Sequence, residues 1–343
     1  MQQQNALFLE SKQGQFVVRQ RPVPTPGPGQ LLVKVYATAL NPVDWKIQEL
    51  GIFVDKFPAI LGSDIAGEVV DVGQGVTGFT KGQRVLAHGY LTEDQASFQQ
   101  YTLTTSTFTA AIPPNLTYNQ AATVPLGLDT AAVGLYSEVL GAGLTPPWTE
   151  GGQGKYSGKP ILVYGGSSSV GCYVIQLARV SGFSPIIAIA SRIHEEYLKS
   201  LGATHVINRH GERDDLKKAI TGTTTAPIEI AYDAVSFPET QQVAFEILAP
   251  NGILVTTLQP VVEEDQGKGR KVVATYGSPH HSANNALCQG LWGVLEDWLH
   301  RGVIKPGPFE VLPDGLHGIP EGLRKMREDE AGGVKLVAHP QQE

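Results

Sequence analysis

From Ile161 to Gly171 the chain reads Ile161-Leu162-Val163-Tyr164-Gly165-Gly166-Ser167-Ser168-Ser169-Val170-Gly171. A short buried strand runs into a turn of glycines and serines, and the turn opens a helix. Small residues let backbone N–H groups approach a pyrophosphate, and the helix N-terminus adds free N–H groups and a positive dipole end. Gly165, Gly166, Ser167, Ser168, Ser169, Val170 and Gly171 are therefore candidate dinucleotide-binding residues. The spacing is not the strict Gly-x-Gly-x-x-Gly, because serines hold some glycine places; serine is still small and can itself donate a hydrogen bond.

The following strand selects the dinucleotide. A site for NAD carries Asp or Glu at the end of that strand, about 20 residues on, to hold the ribose 2′-hydroxyl. Here the strand ends Ala188-Ile189-Ala190-Ser191-Arg192, with no acid. Ser191 can donate to a 2′-phosphate and Arg192 can pair with it, contacts worth roughly 1.5–3 kcal/mol each. That is about tenfold to over a hundredfold in preference, so NADPH is the expected cofactor. His194 and Tyr197 stand to assist from the next helix. The competing reading of Arg192 is a solvated surface residue. Asp233, in Tyr232-Asp233-Ala234-Val235, and Leu258 end later strands, where each either lines the cofactor or packs.

The elements that must position these residues alternate. From Pro160 to about Tyr276 the pattern gives strands at Ile161–Tyr164, Ile186–Ala190, His205–Ile207, Glu229–Asp233 and Gly252–Leu258. Helices fall at Ser169–Ser181, Ile193–Leu201, around Asp214–Ile220 and at Pro238–Leu248. Such alternation implies a parallel sheet of right-handed βαβ units. Before Pro125 the character is different. Apolar runs at Gln15–Arg19, Leu31–Ala39, Ala66–Val72 and Arg84–Ala87 lie between Gly and Pro punctuation, which suggests a compact barrel-like β domain. Asp129–Leu140 and Asn284–Arg301 read as helices, Thr145–Lys159 as a Gly- and Pro-rich loop, and Val334–Ala338 as a late strand.

Composition narrows the class. The 343 residues suit two domains; 41% are apolar and 17% charged, as in an ordinary globular protein. A net charge of −7 argues against a general nucleic-acid or anionic-membrane binder. The two cysteines, Cys172 and Cys288, suit free thiols in a reducing cytoplasm and cannot build a disulfide framework or a four-cysteine zinc site. The N-terminal stretch lacks the pattern of a signal peptide, and no window approaches the roughly 18 apolar residues of a membrane span. The Asn115-Leu116-Thr117 sequon reads as chance.

Two further stretches carry a resemblance. Asn41-Pro42-Val43-Asp44-Trp45-Lys46 and Phe57-Pro58-Ala59-Ile60-Leu61-Gly62-Ser63-Asp64-Ile65-Ala66-Gly67-Glu68-Val69-Val70-Asp71-Val72-Gly73 resemble the medium-chain dehydrogenase/reductase superfamily, in its quinone oxidoreductase and enoyl reductase branch. Leu201-Gly202-Ala203 and Lys335-Leu336-Val337 fit as well. Tyr164-Gly165-Gly166-Ser167, the insertion before it, and Pro125-Leu126-Gly127-Leu128-Asp129-Thr130-Ala131-Ala132 are similar to fungal trans-acting enoyl reductases that partner polyketide synthases. The resemblance implies an α/β fold with a GroES-like β-rich domain at 1–127, a Rossmann doubly wound parallel-sheet domain at 128–280, and a return at 281–343 that completes the first. It places the active site in the cleft between them, in a monomer or homodimer.

The resemblance also bears on metal and catalysis. Alcohol dehydrogenases of the superfamily carry a Cys ligand in the first motif and Gly-His-Glu in the second. Here those stretches read Pro42-Val43-Asp44 and Gly62-Ser63-Asp64, without the Cys or the His, so no zinc is expected. His280-His281 reads as a solvated loop. A zinc-free member would deliver hydride to the double bond of an enone, enoyl thioester or alkenal, or to a quinone. The charge developing on the carbonyl oxygen needs a donor. The resemblance nominates Lys46, whose alternative is a surface lysine tied to a carboxylate. It further implies that Asn41 orders the loop and that Thr130 holds the nicotinamide carboxamide or a substrate oxygen. Lys46, a tyrosine or water remain open as the proton source. Three readings stand: a double-bond reductase, a quinone reductase on the same fold, and a non-catalytic NADPH-binding partner or redox sensor.

Overall fold

The computed structural model describes residues 2–342. Before Pro125 the short apolar runs pair as β1 (Gln3–Leu9), β2 (Phe16–Pro22), β3 (Gln30–Ala39), β4 (Ala59–Ile60), β5 (Asp64–Val72), β6 (Arg84–His88), β7 (Tyr101–Thr105) and β8 (Thr109–Ala111), with helix α1 (Pro42–Leu50) between β3 and β4 and helix α2 (Tyr118–Ala122) after β8. β1 lies between β2 and β4 in a small antiparallel sheet. β3, β5, β6 and β8 follow one another in a larger sheet, with β7 also on β3. Leu31, Val33 and Val35 of β3 pack against Ile65, Val69 and Val85, and this alternation sends one face of the pleat inward.

The second part begins with α3 (Pro125–Tyr136) and runs through β9 (Ile161–Tyr164), α4 (Ser169–Val180), β10 (Ile186–Ala190), α5 (Glu195–Leu201), β11 (His205–Asn208), α6 (Arg213–Thr221), β12 (Ile230–Asp233), α7 (Pro238–Glu246), β13 (Ile253–Thr256), β14 (Lys271–Ala274) and α8 (Asn285–His300). Its six strands are parallel throughout, in the order β11-β10-β9-β12-β13-β14. The chain starts in the middle at β9, winds out to β11, then crosses to β12 and winds out the other way. A crevice at the carboxyl ends of the strands therefore opens where the order reverses, beside β9. Leu162, Ile187, Ile189, Ala231, Val243 and Leu254 form the core behind it.

The chain closes with β15 (Phe309–Val311), α9 (Ile319–Arg327) and β16 (Lys335–Ala338). β16 pairs antiparallel with β3, so the tail joins the first sheet. Residues up to Leu126, with Leu295–His300 and Pro306 onward, form one compact unit; Gly127–Val294 and Arg301–Lys305 form the other.

Several expectations need correction. The helix expected at Asp129–Leu140 is α3, which starts at Pro125 and stops at Tyr136. A proline at the first helical position lacks only an N–H that would have had no partner. At the other end the Ser137 hydroxyl accepts the Leu140 N–H at 3.1 Å and turns the chain away. The helix expected from Ile193 begins at Glu195, after a 3₁₀ turn at Arg192–His194. The return to the first unit comes later than residue 281. The start of α8 packs with the second unit, where buried Trp292 Nε1 donates to both carboxylate oxygens of Asp129 at 3.1 and 3.2 Å. β1, β14, α1 and α9 were not expected at all.

Candidate functional site

At the carboxyl edge of the parallel sheet, Gly165 follows β9 with φ +72, in the left-handed region, where a side chain would also meet Val235. Gly171, in the first turn of α4, lies against the Gly165 carbonyl, so the helix start rests directly on the loop. Ser168 is the N-cap. Its hydroxyl accepts the Gly171 N–H at 3.0 Å instead of reaching outward. The N–H groups of Ser169 and Val170 have no partner inside the helix and remain for an anion. Gly166 donates its N–H to Ile189 at 3.0 Å, which ties the loop to β10.

The end of β10 lies in the same edge. Ser191 is half-buried and caps the 3₁₀ turn through its carbonyl, leaving its hydroxyl free of protein hydrogen bonds among the described residues. Arg192 is exposed and makes no ion pair there either. Tyr197, on α5, buries its hydroxyl beside the Cys172 thiol without a stronger partner. Burial pushes the Cys172 thiol up to about 12, so it stays protonated and gives Tyr197 only a weak contact.

Residues not singled out from sequence complete this edge. Arg209 follows β11, and its N–H donates to the Ala190 carbonyl at 3.0 Å, which sets it beside Ser191. It is exposed and close enough to favour the ionised form of Tyr164. Ile193 and Phe237, exposed apolar side chains, follow β10 and β12. Thr275, just past β14, has a buried hydroxyl with no partner among the described residues. Arg209 was available from the sequence as a cation following a strand, but only the β10–β11 pairing makes it a neighbour of Ser191.

Asp233, Leu258 and Thr130 are each held by contacts within the chain. The Asp233 carboxylate is wholly engaged in its own turn: one oxygen accepts the N–H groups of Val235 at 3.0 Å and Ser236 at 2.7 Å, and the other accepts the Thr240 hydroxyl at 2.6 Å. Of the two readings, the geometry fits packing. Leu258 is half-buried, and its carbonyl accepts the Thr256 hydroxyl at 2.8 Å. Thr130 is half-buried on α3, its carbonyl accepting the Tyr232 hydroxyl at 2.8 Å, with Gly277 close against its side chain.

In the first unit, Asn41 is the N-cap of α1 and Asp44 closes a capping box, one carboxylate oxygen accepting the Asn41 N–H at 2.8 Å. The Asn41 amide then bridges two charges. It donates to Asp64 Oδ2 at 2.8 Å and accepts from Lys335 Nζ. Lys335 also pairs with Asp64 at 3.1 Å, and the other Asp64 oxygen accepts the Leu126 N–H at 2.7 Å. Asn41, Asp44, Asp64 and Lys335 are all buried. Asn41 thus links the start of α1 to partners on β5 and β16 that the sequence did not name. Lys46, further along α1, is half-buried with its ammonium 5.5 Å from the centre of the Trp45 ring. Burial alone holds its pKa below the ordinary lysine range, and no carboxylate pairs with it among the described residues.

Residues 27–138 match a family model described as the alcohol dehydrogenase GroES-like domain, and residues 169–257 match one described as zinc-binding dehydrogenase. The chain is 32% identical to dehydrogenase azaJ of Aspergillus niger over 98% of this chain and 99% of that one. The chain belongs to the medium-chain dehydrogenase/reductase superfamily. It falls in the enoyl reductase branch. It is 31% identical to the enoyl reductase component lovC of the lovastatin nonaketide synthase from Aspergillus terreus, over 98% of this chain and 96% of lovC. It is 32% identical to the trans-enoyl reductase himH of Aspergillus japonicus, over 87% and 86% of the two chains. An alcohol dehydrogenase superfamily protein from Novosphingobium aromaticivorans shares the fold with a TM-score of 0.78 and 25% identity, over 95% of both chains. This medium-chain reductase is accordingly an oxidoreductase, from a family that uses nicotinamide dinucleotides, with GroES-like and Rossmann-like parts.

The match to a model named for zinc calls for a test of the donors. No group of three or more His, Cys, Asp or Glu side chains among the described residues is arranged to hold a metal ion. Asn41 and Asp64, where the two motifs meet, already share the Lys335 ammonium, and a divalent cation beside it would be repelled. Cys172 and Cys288 are buried in α4 and α8, one beside Tyr197 and the other beside Asp129. These residues do not fit a zinc ion. The second-unit edge does fit a dinucleotide: unpaired helix N–H groups, a glycine cradle, and unpartnered hydroxyls at Tyr197 and Thr275. No helix among the described residues is long and apolar enough to cross a membrane.

Proposed function

We propose that this chain is an NADPH-dependent, zinc-independent reductase that saturates the carbon–carbon double bond of an α,β-unsaturated carbonyl compound. It works in the cytoplasm in trans with a polyketide synthase. The observation that carries this reading is the end of β10, where Ser191 and Arg192 stand unpaired among the described residues, with Arg209 alongside and no carboxylate in the place an NAD site requires. Glu195, the nearest acid along the chain, is engaged with Lys199 at 2.7 Å. Three donors without an acid attract a dianionic phosphate and gain nothing from a bare ribose.

NADPH, when bound, supplies the hydride. The chain's part is to hold the acceptor and to stabilise the negative charge that develops on its carbonyl oxygen. Lys46 is our assignment for that donor. Its ammonium is partly desolvated and unpaired, so it remains available and is worth more than in water. Thr130 is assigned to the nicotinamide carboxamide or a substrate oxygen. The names of similar relatives, a trans-enoyl reductase and a component of a nonaketide synthase, support a carrier-bound enoyl chain as substrate and a synthase as partner.

The test follows NADPH consumption with enoyl thioesters, enones and quinones, with products identified by mass spectrometry before and after prolonged chelation. The expected outcome is saturated thioester or enone at a rate that chelation leaves unchanged. Turnover of quinones alone, or tight NADPH binding with no turnover across the panel, would overturn the proposal.

A further inference from the structure

Two buried carboxylates in the first unit share one buried cation. Asp64 is matched: Lys335, the Asn41 amide and the Leu126 N–H surround its oxygens. Asp44 is not. One oxygen accepts the Asn41 N–H, while the other faces the Gly62 amide without a hydrogen bond of good geometry. Around them Leu40, Ile47, Leu61 and Leu336 form an apolar core. With Asp44 neutral the cluster carries no net charge. With Asp44 ionised it carries an uncompensated negative charge in that core, which is costly.

We propose that Asp44 is a proton-gated positioning residue: its neutral form seats the start of α1 on the Asn41–Asp64–Lys335 cluster, and its ionisation loosens that seat and, with it, the Lys46 side chain two residues further along the helix. The part concerning Lys46 rests on the reductase reading; the gate itself does not. The charged groups around Asp44 leave it without a cation of its own. Asp64 faces it from β5 and Lys335 from β16, already paired with each other, and His88 of β6 is the register partner of Asp64. From α9, Arg324 and Arg327 pair with exposed glutamates, Arg327 reaching Glu49 at 3.1 Å. On α1 itself Lys46 turns to Trp45. Burial, reinforced by Asp64, accordingly raises Asp44 to about 7.

The sign follows from linkage. Native Asp44 keeps a proton that the unfolded chain releases above the ordinary carboxylate pKa of about 4. The native-to-unfolded ratio therefore falls about tenfold per pH unit from this one group as pH rises from about 4 towards 7, and levels off above it. Asp44→Asn, which is neutral at every pH and keeps an acceptor for the Asn41 N–H, should lack that loss. Guanidinium unfolding of the full chain from pH 5 to 9 should show the variant gaining on the wild type up to about pH 7; parallel profiles would overturn the gate. Should the variant not fold, carbon-13 NMR of the Asp44 carboxyl in the native chain decides, because an ionised group at pH 5.5 contradicts it. For positioning, kcat should break near pH 7 in the wild type and not in Asp44→Asn, with KM for NADPH the same in both; a break retained in the variant removes the positioning role. Failure of every acceptor would count against the reductase reading, and the unfolding profiles would still judge the gate.

Discussion

At the carboxyl edge of the parallel sheet, polar groups stand without hydrogen-bond partners among the described residues: the first-turn N–H groups of α4, the Ser191 hydroxyl, the Arg192 guanidinium and, buried beside Cys172, the Tyr197 hydroxyl. Around Asn41 the pattern is reversed, and nearly every polar atom is satisfied by another from a distant part of the chain. Buried donors and acceptors are costly when unpaired, so a folded chain leaves them open only where something else completes them. Under the proposed function, the open edge is the place for a ligand. The closed cluster holds backbone in position, and its one unsatisfied oxygen, on Asp44, marks where it is least secure. The closed cluster also differs from a metal site in its chemistry, since its amide and carboxylate oxygens are already given to a lysine ammonium.

That contrast breaks most readily at Lys335. Lys335→Met leaves the Asp64 carboxylate buried without its cation, and the expected loss is roughly 3–5 kcal/mol in chemical denaturation. A loss within experimental error would mean that the cluster is not closed in the sense described. Next comes Lys46→Ala, expected to lower kcat by about a hundredfold to a thousandfold while NADPH affinity is kept, as for loss of one oxyanion donor. Unchanged turnover takes Lys46 out of the chemistry. The smallest effect sharpens the open edge. Arg192→Ala should weaken NADPH by about tenfold to a hundredfold in calorimetry and leave NADH nearly untouched. Equal losses for both cofactors would show that Arg192 does not read the 2′-phosphate.

Much of the second unit was legible because its signals are local. The βαβ alternation, the Gly/Ser turn and the acid-free end of β10 each lie within one stretch of sequence, and β9 and β10 fall where the apolar runs place them. Elements whose local signals conflict were missed. α1 opens on Asn41-Pro42, which reads as a turn until the capping box closes, and α9 carries Pro320 and Gly322, which read as breakers although Pro320 sits harmlessly in its first turn. Asp233 ends β12 where the sequence set the end of a strand, but the three contacts that engage its carboxylate appear only in the folded turn.

By itself, then, the order of residues determined the fold class, the Gly/Ser turn between β9 and α4 and the absence of an acid at the end of β10, because backbone propensity and side-chain charge act over a few residues. Tertiary structure decided which distant groups meet. Lys335 reaches Asn41 across 294 positions, and Arg209 comes beside Ser191 because β11 pairs with β10. The burial that leaves Asp44 with an unmatched oxygen exists only once α1, β5 and β16 pack together, since desolvation belongs to the assembled core and to no single segment.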